Sequence, residues 1–199
     1  MVLAILLPAA AALVLAGCPA PETGEPEPDY SRFDTAVLET EMGDIVIRLE
    51  KEKAPETSRN FLALCGSGFY DGTSFHRVVP GLLLQGGDPN TLDEDPGNDG
   101  QGGYSWQGPG TFLAAENNDL KHEKGSVSMV RGREPDTAGS QFFIVLDRVP
   151  EYDGRYTVFG RVESGLEILV EAAEQAGTPL EEGGFRPDKP LVVTRGRVE

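Results

Sequence analysis

The chain has 199 residues, enough for one domain with a substantial core, and its 39% hydrophobic and 25% charged content is that of an ordinary globular protein. Its 33 Asp and Glu against 17 Lys and Arg give a formal charge of −16. A field of that sign repels phosphate backbones and argues against nucleic acid as a partner.

Met1 to Gly17 carry no charge and run through Leu, Val, Ala and Ile with a single Pro. The run is shorter than the ~20 apolar residues of a membrane-spanning helix. It predicts a secretory signal over residues 1–17, although no Lys or Arg precedes the apolar stretch. The following Leu15-Ala16-Gly17-Cys18 resembles the bacterial lipobox, so acylation of Cys18 and membrane anchoring in the bacterial cell envelope are expected. Pro19 to Asp29 holds four prolines and four acids in eleven residues, which cannot bury enough apolar surface to order themselves. Residues 18–32 are read as a lipidated Cys with a Pro/Glu-rich tether, and residues 33–199 as one folded domain. With Cys18 acylated, Cys65 has no intrachain partner, and in Phe61-Leu62-Ala63-Leu64-Cys65 it reads as a small buried hydrophobe.

From about Asp34 the pattern is that of strands. Val37-Leu38-Glu39-Thr40 and the alternation Ile45, Ile47, Leu49 flank a Gly43-Asp44 turn. A first helix opens at Pro55-Glu56-Thr57 and stops at Gly66. Further β-like runs are Ser74–Val79, Leu82–Gln85, Ser126–Val130, Gln141–Leu146, Thr157–Arg161 and Leu191–Arg197. A second helix is expected from Ser164, with Glu167 at capping-box spacing, an apolar face of Leu166, Leu169, Val170 and Ala173, and a stop at Gly177. Many short strands with two helices fit a barrel or a sandwich, and periodicity does not choose between them.

The chemistry concentrates in Phe75-His76-Arg77-Val78-Val79-Pro80-Gly81-Leu82-Leu83-Leu84-Gln85-Gly86-Gly87-Asp88, where Arg77 and Gln85 stand eight positions apart. On ideal paired strands both face one surface, next to Leu83. A second run is Gly139-Ser140-Gln141-Phe142-Phe143-Ile144, and a third spans Tyr152 to Gly160. With Asn60-Phe61 and Leu120-Lys121-His122, these resemble the cyclophilin family from about Phe33 to the C-terminus. The resemblance implies a closed eight-stranded antiparallel barrel with two capping helices, and peptidyl-prolyl cis–trans isomerase activity on proline-containing polypeptides, here exported ones. It implies Arg77 and Gln85 as the catalytic pair, and Phe143, Leu83 and Leu82 as walls of the proline pocket. Gln141, Tyr152, Tyr156 and His76 fall at further substrate positions, with Val130, Arg131 and Gly132 at the backbone rim.

Those residue types suit the reaction. Amide conjugation gives a rotation barrier of ~18–20 kcal/mol. A twisted amide has its lone pair on nitrogen, where an arginine can donate to it, so the interaction favours the transition state over both ground states. No bond is made, and no cofactor or metal is expected. Several positions depart from the familiar pattern: Leu82 replaces a usual Phe, Tyr152 a Leu, Arg131 an Asn of many eukaryotic members, and Glu151 the Trp of ciclosporin-sensitive members. Weak ciclosporin binding is therefore expected, and Leu82 and Tyr152 keep open a second function class, a proline-peptide binding module with little turnover.

Other patterns carry less. His76 and His122 are too few for a three-ligand zinc site, and structural roles are expected for both, His76 keeping its place in the motif. The acidic Asp93–Gly100 stretch puts Trp106 where a calcium loop begun at Asp95 needs Glu, and reads as a surface loop. Gly100–Gly103 lacks the Lys-Ser/Thr of a phosphate-binding loop. A monomer is expected.

Overall fold

The computed structural model describes residues 29–175, 177–181 and 183–199; the expected signal, Cys18 and the tether as far as residue 28 lie outside them. Strands β1 (Thr35–Thr40) and β2 (Gly43–Leu49) form a hairpin in which Thr40 pairs with Gly43 and Thr35 with Arg48. Ile45, Ile47 and Leu49 turn into the core while Asp44 and Arg48 face solvent, so one face of β2 is fixed by its hydrophobic alternation. Helix α1 (Pro55–Gly66) follows, with Pro at its first turn. Its open N–H groups are capped from a distance: the Glu116 carboxylate accepts from Glu56 N at 3.0 Å and Thr57 N at 2.7 Å. Phe61 on this helix is fully buried among the rings of Tyr70, Phe142 and Phe159, with centroids 5.1–5.3 Å away.

The remaining strands are β3 (Arg77–Val79), β4 (Leu83–Gly86), β5 (Ser126–Met129), β6 (Phe142–Val145), β7 (Val158–Ser164), β8 (Gly177–Pro179), β9 (Phe185–Pro187) and β10 (Val193–Val198). All pairings are antiparallel, in the order β10-β1-β2-β7-β5-β6-β4-β3-β9-β8. The architecture is mainly β with two helices, as expected, but the ladder differs from eight strands in a closed ring. It holds ten strands and has two ends, because a short hairpin, β8–β9, docks on the outer edge of β3 through the pair Val78–Phe185. The segment entering β3 is also tied to the one entering β10, by a bridge between Ser74 and Val192 and by hydrogen bonds from Phe75 N to Leu191 O (2.9 Å) and Val193 N to Thr73 O (2.8 Å).

Helix α2 (Leu166–Ala173) corrects two expectations. Ser164 does not cap it, because Ser164 is the last residue of β7 and pairs with Val46. The N-cap is Gly165 with φ 87°, a left-handed turn packed against the Asp44 backbone where a side chain has no room. The helix ends at Ala173, and Gly177 opens β8. Leu169 and Ala173 of the expected face are buried, joined by Ala172, while Leu166 and Val170 are half-buried against the same core. Cys65 is buried, as expected.

Candidate active site

The Pro80-Gly81 turn folds β4 back on β3 so that Arg77 pairs with Gln85 and Val79 with Leu83. Across β4 and β6, Gln85 pairs with Phe143, and across β5 and β6, Phe143 pairs with Ser128. Because pleated strands place paired residues on one face, Arg77, Gln85, Phe143 and Ser128 form a single cross-strand row. The alternate residues Val78, Leu84, Ile144 and Val127 point into the main core. Sequence spacing predicts the first two members of this row; the third and fourth need the register of β6.

The polar end of the row is a directed chain of hydrogen bonds. Arg77 Nη1 donates to Gln85 Oε1 at 3.0 Å, and Arg77 Nε donates to the Gly183 carbonyl at 2.9 Å. Gln85 Nε2 donates to Gln141 Oε1 at 2.9 Å, and Gln141 Nε2 donates to the carbonyls of Gly100 (3.0 Å) and Gly102 (2.7 Å). Arg77 is half-exposed, whereas Gln85 and Gln141 are buried. Gly183 lies in the loop of the β8–β9 hairpin, so the strands beyond the expected eight carry a group that orients the arginine. A backbone carbonyl has no sequence signature.

The apolar end is a separate cluster of Leu83, Phe143, Val145 and Val149, with Val79, Leu82, Val130, Tyr152 and Tyr156 packed on it. Phe143 is 4% exposed, with Tyr152 and Tyr156 meeting its ring edge-on at 5.7 Å. His122 stacks on Phe143 with centroids 5.8 Å apart and planes at 13°. That imidazole is held at both nitrogens, Nε2 being 3.0 Å from Ser128 Oγ and Nδ1 3.2 Å from Asp153 Oδ1. Burial lowers the His122 pKa below its ordinary value, outweighing the opposing pull of Asp153. Asp153 is itself held well below the carboxylate range, chiefly by its hydrogen bond from Arg148. The sequence reading gives His122 a structural role without locating it; its stack on Phe143 becomes visible only in three dimensions.

The rim residues sit beside this cluster. Arg131 lays its guanidinium over the Tyr156 ring at 5.0 Å and donates through Nε to the Arg155 carbonyl at 3.1 Å. Gly132 is exposed, and its N–H donates to Thr137 Oγ1 at 2.9 Å. Val130 N donates to Gln141 O at 3.0 Å, tying the rim to the polar chain. His76, next to Arg77 in the chain, is buried with its ring close to Gly100. Among the described residues no group of three or more His, Cys, Asp or Glu is arranged to hold a metal ion. The arrangement thus sets a half-exposed cation and an amide beside an apolar, aromatic cluster.

Fold and site together define a proline isomerase of the cyclophilin class. The family model for cyclophilin type peptidyl-prolyl cis-trans isomerases matches residues 35–196, and the chain belongs to that family and has its activity, the interconversion of X-Pro peptide bonds. The peptidyl-prolyl cis-trans isomerase ppi1 of Schizosaccharomyces pombe is 38% identical over 158 residues, 79% of this chain and 94% of the relative. The human peptidyl-prolyl cis-trans isomerase-like 3 is 40% identical over 153 residues, 77% of this chain and 88% of the relative. Among solved structures, a cyclophilin type isomerase of Cryptosporidium parvum superposes with a TM-score of 0.73 at 30% identity, covering 84% of this chain and 98% of its own. A structure of that protein in the presence of the dipeptide Ala-Pro gives a TM-score of 0.72.

Proposed function

We propose that Arg77 is the group that lowers the rotation barrier, donating to the proline nitrogen as conjugation breaks, while Gln85 holds the carbonyl of the preceding residue. The proline ring sits on Phe143 between Leu83, Leu82 and the Val130–Gly132 rim, with Tyr152 and Tyr156 beneath and Gln141 behind Gln85. The supporting observation is the cross-strand row itself: a cation, an amide and a buried aromatic side by side on one face. The ring is gripped at the apolar end and the carbonyl at the polar end, so the bond between them is the one that turns.

The Ser74–Val192 bridge is taken as the seam that closes an eight-stranded core into a barrel, with β8–β9 as an outer addition. The lipobox-like Leu15–Cys18 and the acidic, Pro-rich tether support a monomer anchored through Cys18 in the bacterial cell envelope. Its clients are then exported proteins whose folding waits on X-Pro interchange, which takes tens to hundreds of seconds uncatalysed.

A proline-peptide exchange assay on the wild-type chain and Arg77→Ala tests the site; equal rates would remove Arg77 from the mechanism. Labelling with a radioactive fatty acid in a bacterial host tests the anchor, and incorporation that survives Cys18→Ser would refute it.

A further inference from the structure

Asp88 closes the Gly86-Gly87-Asp88 run, yet its carboxylate is fully buried and takes no part in the row. Oδ1 accepts from Asn90 N at 2.9 Å, and Oδ2 accepts from Gly100 N at 2.5 Å and Gly102 N at 3.2 Å. Gly100 and Gly102 are the same two residues whose carbonyls receive both N–H groups of Gln141. A two-glycine span is therefore gripped from both sides, its N–H groups by a carboxylate and its carbonyls by an amide. The fit admits no side chain at position 102, where a Cβ would run into the Asp88 carboxylate and the Asn90 amide. Gly100 has φ 86°, in the left-handed region glycine favours.

This geometry fixes orientation as well as position. Because the span presents carbonyls to Gln141, the Gln141 side chain must point its NH2 there and its oxygen towards Gln85. Gln85 then donates to that oxygen and turns its own oxygen to Arg77. A flip of either amide would set like against like at every later link. We infer that Asp88 is a positioning residue of the isomerase site, setting the amide polarity of Gln141 and Gln85 and through them the plane of the Arg77 guanidinium. The inference rests on the reading of Arg77 and Gln85 given above.

The test uses the full chain with Asp88→Asn, Gln141→Leu, the double variant and Arg77→Ala. Each is measured by exchange on an Ala-Pro-containing peptide and by the side-chain amide resonances of Gln85. Asn at 88 loses the carboxylate charge and keeps one acceptor oxygen, so its NH2 is set against the N–H of Asn90 or those of Gly100 and Gly102. A loss of about 5- to 20-fold in kcat/KM is expected, with the Gln85 side-chain resonances displaced and the backbone resonances of α1 unmoved. Acting through Gln141, the change should cost less than about twofold more in the Gln141→Leu background, since residues in one network are not additive. Gly102→Ala breaks the same link from the loop side and should reproduce the loss if Asp88→Asn does not fold. Wild-type rates for Asp88→Asn or Gly102→Ala beside an inactive Arg77→Ala would overturn the inference alone, as would multiplicative losses in the double variant. A fully active Arg77→Ala would instead overturn the reading of the site.

Discussion

Phe142 and Phe143 are chain neighbours on β6 that face opposite ways, and truncating each separates what holds the fold from what is proposed to hold the substrate. Phe142 is 1% exposed in the main core, edge-on to Phe61, Tyr70 and Phe75. Phe143 belongs to the smaller cluster beside Arg77 and Gln85. Removing a buried phenyl ring costs about 3–5 kcal/mol, the larger values where the cavity cannot collapse or fill with water. Phe142→Ala should therefore lie near the upper end, at about 5 kcal/mol. Phe143→Ala should lie near the lower end, at about 3 kcal/mol, because its cluster is smaller and its partly buried neighbours Leu82, Val130, Tyr152 and Tyr156 are freer to close on the gap. The leucine variants keep more of the buried volume, so each should cost less than its alanine counterpart. The functional effects should run the other way. Phe142→Leu should keep the wild-type rate per folded molecule, whereas Phe143→Leu loses the flat floor proposed for the proline ring, and its rate should drop at least about tenfold, the worth of roughly 1.4 kcal/mol of lost transition-state contact. Urea unfolding gives the stabilities, and line-shape or exchange measurements on a proline peptide give the rates. If both leucine variants lost rate in proportion to stability, or if Phe143→Leu kept the full rate, the division between core face and site face would be wrong.

The buried His122 makes stability depend on pH. Its folded pKa lies below the unfolded 6.5, so the unfolded chain binds the extra proton first, and stability present above pH 6.5 is lost as the pH falls from 6.5 through the lowered folded value. His122→Gln should flatten the wild-type curve in that window, and an unchanged slope would refute the assignment. Asp153 contributes in a lower window, its stabilisation being present above pH 3.8 and lost as the pH falls below it; Asp153→Asn should remove that component of acid unfolding measured by circular dichroism. The Cys65 thiol is pushed up to about 12, chiefly by burial, so in a Cys18→Ala chain it should resist thiol reagents at neutral pH until the protein unfolds. Fast labelling of the native chain would contradict this. Glu151 and Leu82, standing where the family resemblance implies Trp and Phe, predict ciclosporin binding far weaker than nanomolar, which a competition assay with the proline peptide can check.

The sequence discloses the elements that obey a period and the residues that sit in a motif. Ile45, Ile47 and Leu49 announce β2 because one of its faces is buried, and Pro55 announces α1 because proline fits its first turn. Arg77 and Gln85 are legible as partners because a single Pro80-Gly81 turn lies midway between them. The β8–β9 hairpin is not legible: its strands are three residues each, contain Pro179 and Pro187, and gain their partners only by docking on β3. The expected cap at Ser164 fails for a related reason, since the hydroxyl-and-glutamate spacing is present but pairing with β2 claims the residue for a strand. Gly183, Gly100 and Gly102 act through backbone groups, and Asp88 through those glycines, so nothing in their side-chain chemistry could mark them.

Rotation about an amide makes no covalent bond and leaves no intermediate to stabilise, so the catalyst's contribution is limited to groups that already stand where the twisted amide will need them. That places a premium on fixing them, and the two ends of the cross-strand row are fixed from different parts of the chain. Arg77 is held between Gln85 and the Gly183 carbonyl, hence by β4 and the β8–β9 loop. Phe143 is held by His122, which is clamped in turn by Ser128 on β5 and Asp153 in the loop after Val149. Two short backbone links join the supports, the Gln85–Phe143 pair of β4–β6 and the bond from Val130 N to Gln141 O, and neither uses a side chain that the variants below change. A change that loosens one end should therefore leave the other in place: weakening the polar chain should lower kcat more than it raises KM, and weakening the His122 stack should do the reverse. Variants at Asp153 and Gln141 compared by that ratio would decide it, and matching ratios would mean that the row behaves as one unit.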